Sequence, residues 1–489
     1  MSDELLTPGT ATHQLAIERP DEVVLICGRA GGGQDQLTRH ELDQRAAALA
    51  HRLIADGVEP GQTVATVMPN SIEHMVAILA TYMAGGTPFP IAYRMPEAER
   101  GRVIELAAPR VVIGEPEAGA TITPQEITAP PEPVDLPPRA VPSPVKIVAS
   151  GGSTGTPKLI VSPGALEFPP TIHPTAIMLG VKPDDLFYSP GPLYHNAPFF
   201  FSVVALISGA RIMLNERFNA SQALDLIEQN RVTALNLVPT MMQRMLREPD
   251  WETRDLSSVR LAWHLAAPCP AWAKEGFIDR FGGDAIMELW GATETTGITT
   301  ISGTEWLEHK GSVGKGLNTE FRILDPDRNE LPPGEVGEVF SRFGGTAANY
   351  QYVGASALEV DHEGFASVGD MGYVDEDGYL FLADRRTDMI ISGGSNIFPA
   401  EVEQVISSHP GVGDVAVIGL LDDDLGRKVW AVVEPIDAAH PPSATELLAA
   451  CADQLARYKV PRGIEFVDAL PRNEAGKIRR LSLREERGG

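Results

Sequence analysis

Apolar positions along the first ninety residues follow two rhythms in turn. Leu42, Ala46, Leu49 and Leu53 fall on one face at helical intervals, and Thr38 with Glu41 forms a capping box ahead of them. That pattern predicts a helix through about Asp56, ended by Gly57. Thr63 to Met68 reads as a buried strand, and Ser71 to Met83 as an apolar helix closed by Gly85-Gly86. Alternation of this kind predicts α/β layers. Residues 129–144 are Pro-rich and predict an extended crossing segment. Beyond them the apolar runs Val145–Ala149 and Leu159–Val161 read as two strands flanking a Gly-rich loop. Helix-like and strand-like runs then alternate to about Gly291, as in Ser221–Asn230 followed by Val232–Val238.

From Glu320 to Arg342 the pattern changes to short β runs broken at Asp325-Pro326 and Pro332-Pro333-Gly334, which predicts a small β subdomain. After about Arg385 it changes again. Pro399–Ser408 and Ser443–Tyr458 read as helices, with Val415–Leu421 and Val429–Val433 as strands. That stretch predicts a compact α+β domain of about 100 residues. The fold class is thus α/β: a large N-terminal domain of layered α/β subdomains with a small β subdomain, then a smaller α+β domain.

Composition narrows this picture only slightly. At 489 residues the chain is too long for one simple core. Hydrophobic residues at 43% and charged residues at 22% are ordinary for a globular protein. No run approaches the ~20 apolar residues of a membrane span, and Met1-Ser2-Asp3-Glu4 lacks the basic-then-apolar start of a signal peptide. Cys27, Cys269 and Cys451 are far apart and without metal-ligand spacing, so a reducing cytoplasm is the expected location. A net charge of −26 disfavours nucleic-acid binding. An anionic small ligand would have to be held by local donors against that field.

Such donors lie in Ser150-Gly151-Gly152-Ser153-Thr154-Gly155-Thr156-Pro157-Lys158. Its glycines permit close backbone approach. Loop N–H groups and the hydroxyls of Ser153, Thr154 and Thr156 can bond phosphate oxygens, and Lys158 adds a point charge. Read alone, such a loop is also an ordinary hairpin turn. Further along come Pro192-Leu193-Tyr194-His195-Asn196, His264-Leu265-Ala266-Ala267-Pro268, Glu288-Leu289-Trp290-Gly291-Ala292-Thr293-Glu294, Gly369-Asp370, Asp384-Arg385, Ser392-Gly393-Gly394-Ser395 and Pro471-Arg472-Asn473-Glu474-Ala475-Gly476-Lys477. In this order and along nearly the whole chain, these segments resemble the signatures of the adenylate-forming superfamily, which includes acyl-CoA ligases, luciferases and peptide-synthetase adenylation domains.

The resemblance implies an N-terminal adenylation domain at 1–384, a hinge at 385–387 and a mobile C-terminal domain at 388–489 carrying the catalytic lysine. It implies that Ser153, Thr154, Gly155, Thr156 and Lys158 hold phosphates. Ala267, Glu288, Trp290, Gly291, Thr293, Asp370 and Arg385 would surround the nucleotide, with Trp290 stacked on adenine and Asp370 on the ribose. Glu294, with Thr154, would hold Mg²⁺, a hard cation that prefers oxygen. His195, Trp263 and Ala266 would flank the acid; Phe199–Phe201, Trp263 and Met241-Met242 suggest an apolar, aromatic-accepting pocket, and read equally well as short core runs. Lys477 and His195 are the implied catalytic pair. Gly393 and Gly394 would line a pantetheine channel.

The implied reaction joins a carboxylic acid to AMP from ATP and then passes the acyl group to coenzyme A. Thr387 at the hinge, where the family has Asp or Lys, and Ser395 after the double glycine depart from the thiol-transfer pattern. They keep open a second reading, an amide-bond synthetase with an amine acceptor.

Overall fold

The Thr38 capping box closes as the sequence predicts. The Thr38 hydroxyl accepts the Glu41 backbone N–H at 3.2 Å, the Glu41 carboxylate accepts that of Thr38 at 2.8 Å, and the helix Arg39–Ala55 begins there. Its buried face is Leu42, Ala46, Ala47, Leu49, Ala50 and Leu53. The computed structural model describes residues 4–151, 157–345, 350–385, 387–472 and 478–489. The strand Thr63–Val67 and the Ser71-capped helix Ile72–Met83 follow as expected. Thr63–Val67 lies between Thr87–Pro90 and Val111–Gly114 in a parallel three-stranded sheet.

A thirteen-stranded sheet runs through the rest of the N-terminal part. Six of its strands are parallel neighbours, in the spatial order Ile286–Gly291, Leu261–Leu265, Ala234–Leu237, Leu186–Tyr188, Arg211–Asn215, Val23–Gly28. The chain passes from Leu186–Tyr188 to Arg211–Asn215 on one side and then crosses to Ala234–Leu237 on the other. The order therefore reverses around Leu186–Tyr188, and such a switch point opens a crevice at the carboxyl ends of the strands. Beyond Ile286–Gly291 the sheet turns antiparallel through Ile298–Ser302, Ser312–Gly316, Tyr379–Arg385, Asp370–Val374, Gly337–Phe343 and Thr319–Leu324. These last strands are the β subdomain. Apolar clusters pack on both faces of the sheet, which explains the near-continuous apolar runs of its parallel strands.

The Gly-rich loop joins Lys146–Gly151 to Pro157–Ser162, an antiparallel pair in register from Lys146↔Ser162 to Gly151↔Pro157. The short strand Gln351–Val353 adds to the outer edge of Pro157–Ser162.

After Arg385 the chain leaves the large sheet. The hairpin Ile390–Ser392/Ser395–Ile397, the helices Pro399–Ser407 and Ala444–Gln454, and the sheet Val412–Asp422, Gly426–Pro435, Gly463–Phe466 share a core of their own. The second helix stops four residues before the expected Tyr458. Leu455 turns extended after its N–H bonds the Cys451 carbonyl at 2.9 Å. Arg457–Lys459 then forms a separate 3₁₀ turn, and the Lys459 ammonium pairs with Glu401 on the other helix. Arg247, after the helix Pro239–Leu246, touches this C-terminal unit. It donates to the carbonyls of Val412 at 3.0 Å and Gly413 at 2.9 Å.

Candidate active site

The motif residues collect at the carboxyl ends of the parallel strands. Pro192–Asn196 follows Leu186–Tyr188 at the switch point, Ala266-Ala267 follows Leu261–Leu265, and Trp290-Gly291 ends Ile286–Gly291. Two surface clefts of roughly 400–450 Å³ lie at the opposite, amino ends of strands, beside Thr63 and Arg110 and beside Arg260 and Asp284. Open α/β sheets bind ligands at carboxyl ends, so the motif cluster, rather than either cleft, is the candidate site.

Lys158 meets Glu294 there. The carboxylate is buried in the turn between Ile286–Gly291 and Ile298–Ser302, a turn closed by Thr295 N–H to the Ala292 carbonyl at 3.0 Å with Thr295 at φ +56°. Thr293 sits in the same turn. The Lys158 ammonium stands 3.5 Å from Glu294 Oε1 and donates to the Tyr352 hydroxyl at 2.7 Å, and that hydroxyl also bonds Glu294 Oε1. Tyr352 belongs to no motif recognised in the sequence.

Beside this, the Trp290 indole N–H donates to the buried Asp370 carboxylate at 3.0 Å. Asp370 in turn lies opposite Arg385 in strand register. Trp290 and Asp370 come from separated segments and meet through this hydrogen bond. Phe321 flanks the indole, its ring centroid 6.0 Å away.

Other expected residues are placed differently. Glu288 is buried in an ion pair with Lys274, and its Oε2 lies 4.0 Å from His264 Nε2. Burial raises the Glu288 carboxyl above its usual range, while the Lys274 ammonium pulls it back down. Burial, and then the charge of Lys274, holds His264 well below the ordinary imidazole value. It is therefore neutral, and among the described residues neither ring nitrogen has a hydrogen-bond partner. Glu288 thus supports the Trp290 strand from beneath. Trp263 is likewise buried, at 2% exposure, with its indole N–H spent on the Leu179 carbonyl at 2.8 Å, so it packs in the core rather than facing an acid. Phe199 and Met242 are also core, whereas Phe200 and Met241 are half-buried.

Ala266 and Ala267 are exposed at the crevice. Ala266 has φ +75°, the left-handed region that disfavours any side chain. The turn therefore keeps a glycine-like path despite the alanine. His195 stands at the N-terminal boundary of the helix Asn196–Ile207, and its ring packs edge-on to Tyr194 at 4.6 Å. Buried Asn70 clamps the segment leading to it, donating to the Gly191 carbonyl at 2.9 Å and accepting the Leu193 N–H at 2.8 Å. Gly393 and Gly394 form an exposed hairpin turn at φ +54° and +80°. Thr387 is exposed. Ser153, Thr154, Gly155, Thr156 and Lys477 lie outside the described residues.

The oxygen set suits Mg²⁺ arriving with phosphates. Mg²⁺ takes one or two carboxylates plus phosphate oxygens rather than an all-protein cage. Glu294 supplies one carboxylate, and among the described residues no group of three or more Asp, Glu, His or Cys side chains is placed to hold a metal ion.

A family model described as AMP-binding enzyme matches residues 13–351, and a second, the AMP-binding enzyme C-terminal domain, matches 401–477. The chain belongs to the AMP-binding enzymes, the adenylate-forming superfamily. Among this family, it is 33% identical over 471 residues to a feruloyl-CoA synthase of an Amycolatopsis species, covering 93% of this chain and 95% of that one. Its fold superimposes on the o-succinylbenzoate–CoA synthetase of Bacillus subtilis in complex with its acyl-adenylate intermediate, at TM-score 0.81 and 27% identity over 99% of each chain. It superimposes equally on an amide bond synthetase of Marinactinospora thermotolerans, at TM-score 0.80 and 26% identity, covering 98% of this chain and 99% of that one. No helix among the described residues is long and apolar enough to cross a membrane.

Proposed function

We propose that the chain is an ATP-dependent, AMP-forming carboxylate ligase that passes its acyl group to coenzyme A. A carboxylate oxygen of the acid attacks the α-phosphorus of ATP, pyrophosphate leaves, and acyl-AMP forms. The thiol of coenzyme A then attacks the acyl carbon, loses its proton, and AMP departs. The observation that carries this reading is the meeting of Lys158, at the end of the Gly-rich segment in sequence, with Glu294 at 3.5 Å. A phosphate-directed cation and a carboxylate suited to Mg²⁺ share one corner of the crevice, where developing charge is stabilised without reorganisation. Bound Mg²⁺ would neutralise phosphate charge there. Trp290 and Asp370 hold adenine and ribose, with Arg385 beside them. Ser153, Thr154, Gly155 and Thr156 cradle the phosphates, and Thr154 joins Glu294 at the cation. Lys477, carried by a C-terminal domain hinged at 385–387, meets the two reacting anions. His195 orients the acid.

The acid is of the apolar or aryl-bearing kind, as the half-buried Phe200 and Met241 and the feruloyl and succinylbenzoate groups in the relatives' names suggest. A second reading, amide-bond formation with an amine acceptor, draws on the likeness to the amide bond synthetase and on Thr387 and Ser395. One experiment tests both. Purified protein is given ATP, Mg²⁺ and a panel of aryl acids, pyrophosphate release is measured, and products are compared with coenzyme A and with amines. Thioester formation supports the first reading, and amides without thioester support the second. No acid-dependent pyrophosphate release would overturn the adenylation assignment itself.

A further inference from the structure

Tyr352 stands between two charged side chains that the proposed chemistry needs. It lies on Gln351–Val353 opposite Ile160, two residues along the neighbouring strand from Lys158, so Tyr352 and Lys158 are diagonal neighbours on one face. Its ring lies under the Lys158 ammonium at 4.0 Å, and Tyr350 packs edge-on against it at 4.7 Å. The Tyr350 hydroxyl accepts the Leu358 N–H at 2.6 Å, which ties the second ring to the following loop.

The direction of the hydrogen bonds follows from donor chemistry. A lysine ammonium can only donate, so the Tyr352 oxygen accepts from Lys158. An ionised carboxylate can only accept, so the Tyr352 proton points at Glu294. Tyrosine's hydroxyl satisfies both at once, and no apolar residue could. Both contacts fall on Oε1 of Glu294. The protein therefore engages one defined oxygen of this carboxylate and sets the plane of the group.

We propose that Tyr352 is a positioning residue for the metal–triphosphate: through its hydroxyl it orients the Glu294 carboxylate for Mg²⁺ and holds Lys158 over the same corner. This rests on the adenylation reading for the identity of the ligand. Partners of metal-binding carboxylates typically alter metal affinity or activity by about 10–100-fold when removed.

The test uses the full chain and Tyr352→Phe, which keeps the ring under Lys158 and deletes only the hydroxyl. Calorimetric titration with Mg²⁺-ATP, with metal-free ATP and with AMP needs no acid, so it reports on Tyr352 whichever acid is activated. The expected result is a half-saturating Mg²⁺ concentration raised roughly tenfold, the lower end of that range. AMP affinity should stay within about twofold and melting should be unchanged. In a Glu294→Gln background, adding Tyr352→Phe should change Mg²⁺ dependence no further. A Mg²⁺ curve that superimposes on wild type overturns the proposal. So does an equal loss of AMP binding, or multiplicative effects in the double variant. Absence of pyrophosphate release by the wild type would instead strike the underlying adenylation reading, and the binding titrations separate the two.

Discussion

Lys274→Met tests how the floor of the site is held. Lys274 and Glu288 form a buried ion pair, each less than a tenth exposed, with the Trp306 ring 4.5 Å from the ammonium. Methionine keeps most of the aliphatic stem but leaves the Glu288 carboxylate buried and unpartnered. Breaking a buried pair from one side costs about 3–5 kcal/mol, because the remaining charge keeps its desolvation penalty. A domain of about 380 residues unfolds with an entropy near 0.8 kcal/mol per kelvin, so the melting temperature should drop by ~4–6 °C. The loss should depend on pH with a definite sign. Burial already raises Glu288, and without Lys274 nothing pulls it back. The folded variant then holds a proton that the unfolded chain releases, so its stability falls as pH rises above the ordinary carboxyl range. Differential scanning fluorimetry of wild type and variant from pH 5 to 8 should show a gap that widens upward. The double variant Lys274→Met/Glu288→Leu should recover most of the loss, since it removes both charges. A single variant within about 1 °C of wild type at pH 8, or a gap independent of pH, would refute the buried-pair account.

Lys477→Ala should nearly abolish acid-dependent pyrophosphate exchange while leaving transfer from synthetic acyl-AMP to coenzyme A largely intact; equal loss in both half-reactions would count against a mobile lysine domain. Asp370→Ala removes the acceptor of the Trp290 N–H and the carboxylate proposed to hold the ribose, and should raise the KM for ATP by the equivalent of about 1.5–3 kcal/mol, with the acid KM unaffected in steady-state assays. His74 is fully buried, its Nδ1–H donating to the Pro69 carbonyl at 3.2 Å and Nε2 accepting from the Thr66 hydroxyl at 2.8 Å, and burial lowers its pKa to about 4. The unfolded chain binds a proton below about pH 6.5 that the folded one refuses until about pH 4, so stability from this group is full above that window and lost through it. The stability advantage of wild type over His74→Gln should therefore shrink by up to ~3 kcal/mol between pH 7 and 4, read by urea melts at each pH; a constant gap would contradict the neutral-histidine assignment.

Local chemistry was legible in the linear chain because it acts between near neighbours. The capping box of Thr38 and Glu41, the helix starts at Ser71 and Ser443, and the strand Thr63–Val67 depend on residues a few positions apart. The motif residues Lys158, Trp290, Glu294 and Asp370 were legible for another reason, since their types and order carry the resemblance. Tertiary structure alone decided how they meet. Tyr352 enters the site because a three-residue strand happens to pair beside Pro157–Ser162, and no periodicity in Gln351–Val353 announces that. Asn70 clamps the His195 segment from over a hundred residues upstream. Glu288 looked like a nucleotide neighbour, yet it lies two residues before Trp290 in its strand, buried against Lys274 on a packed helix. Ala266 keeps the left-handed turn at an energetic cost that its identity would argue against. Each of these outcomes depends on which long-range strand and helix faces are brought together, and that is set by burial of the whole core rather than by any local run of residues.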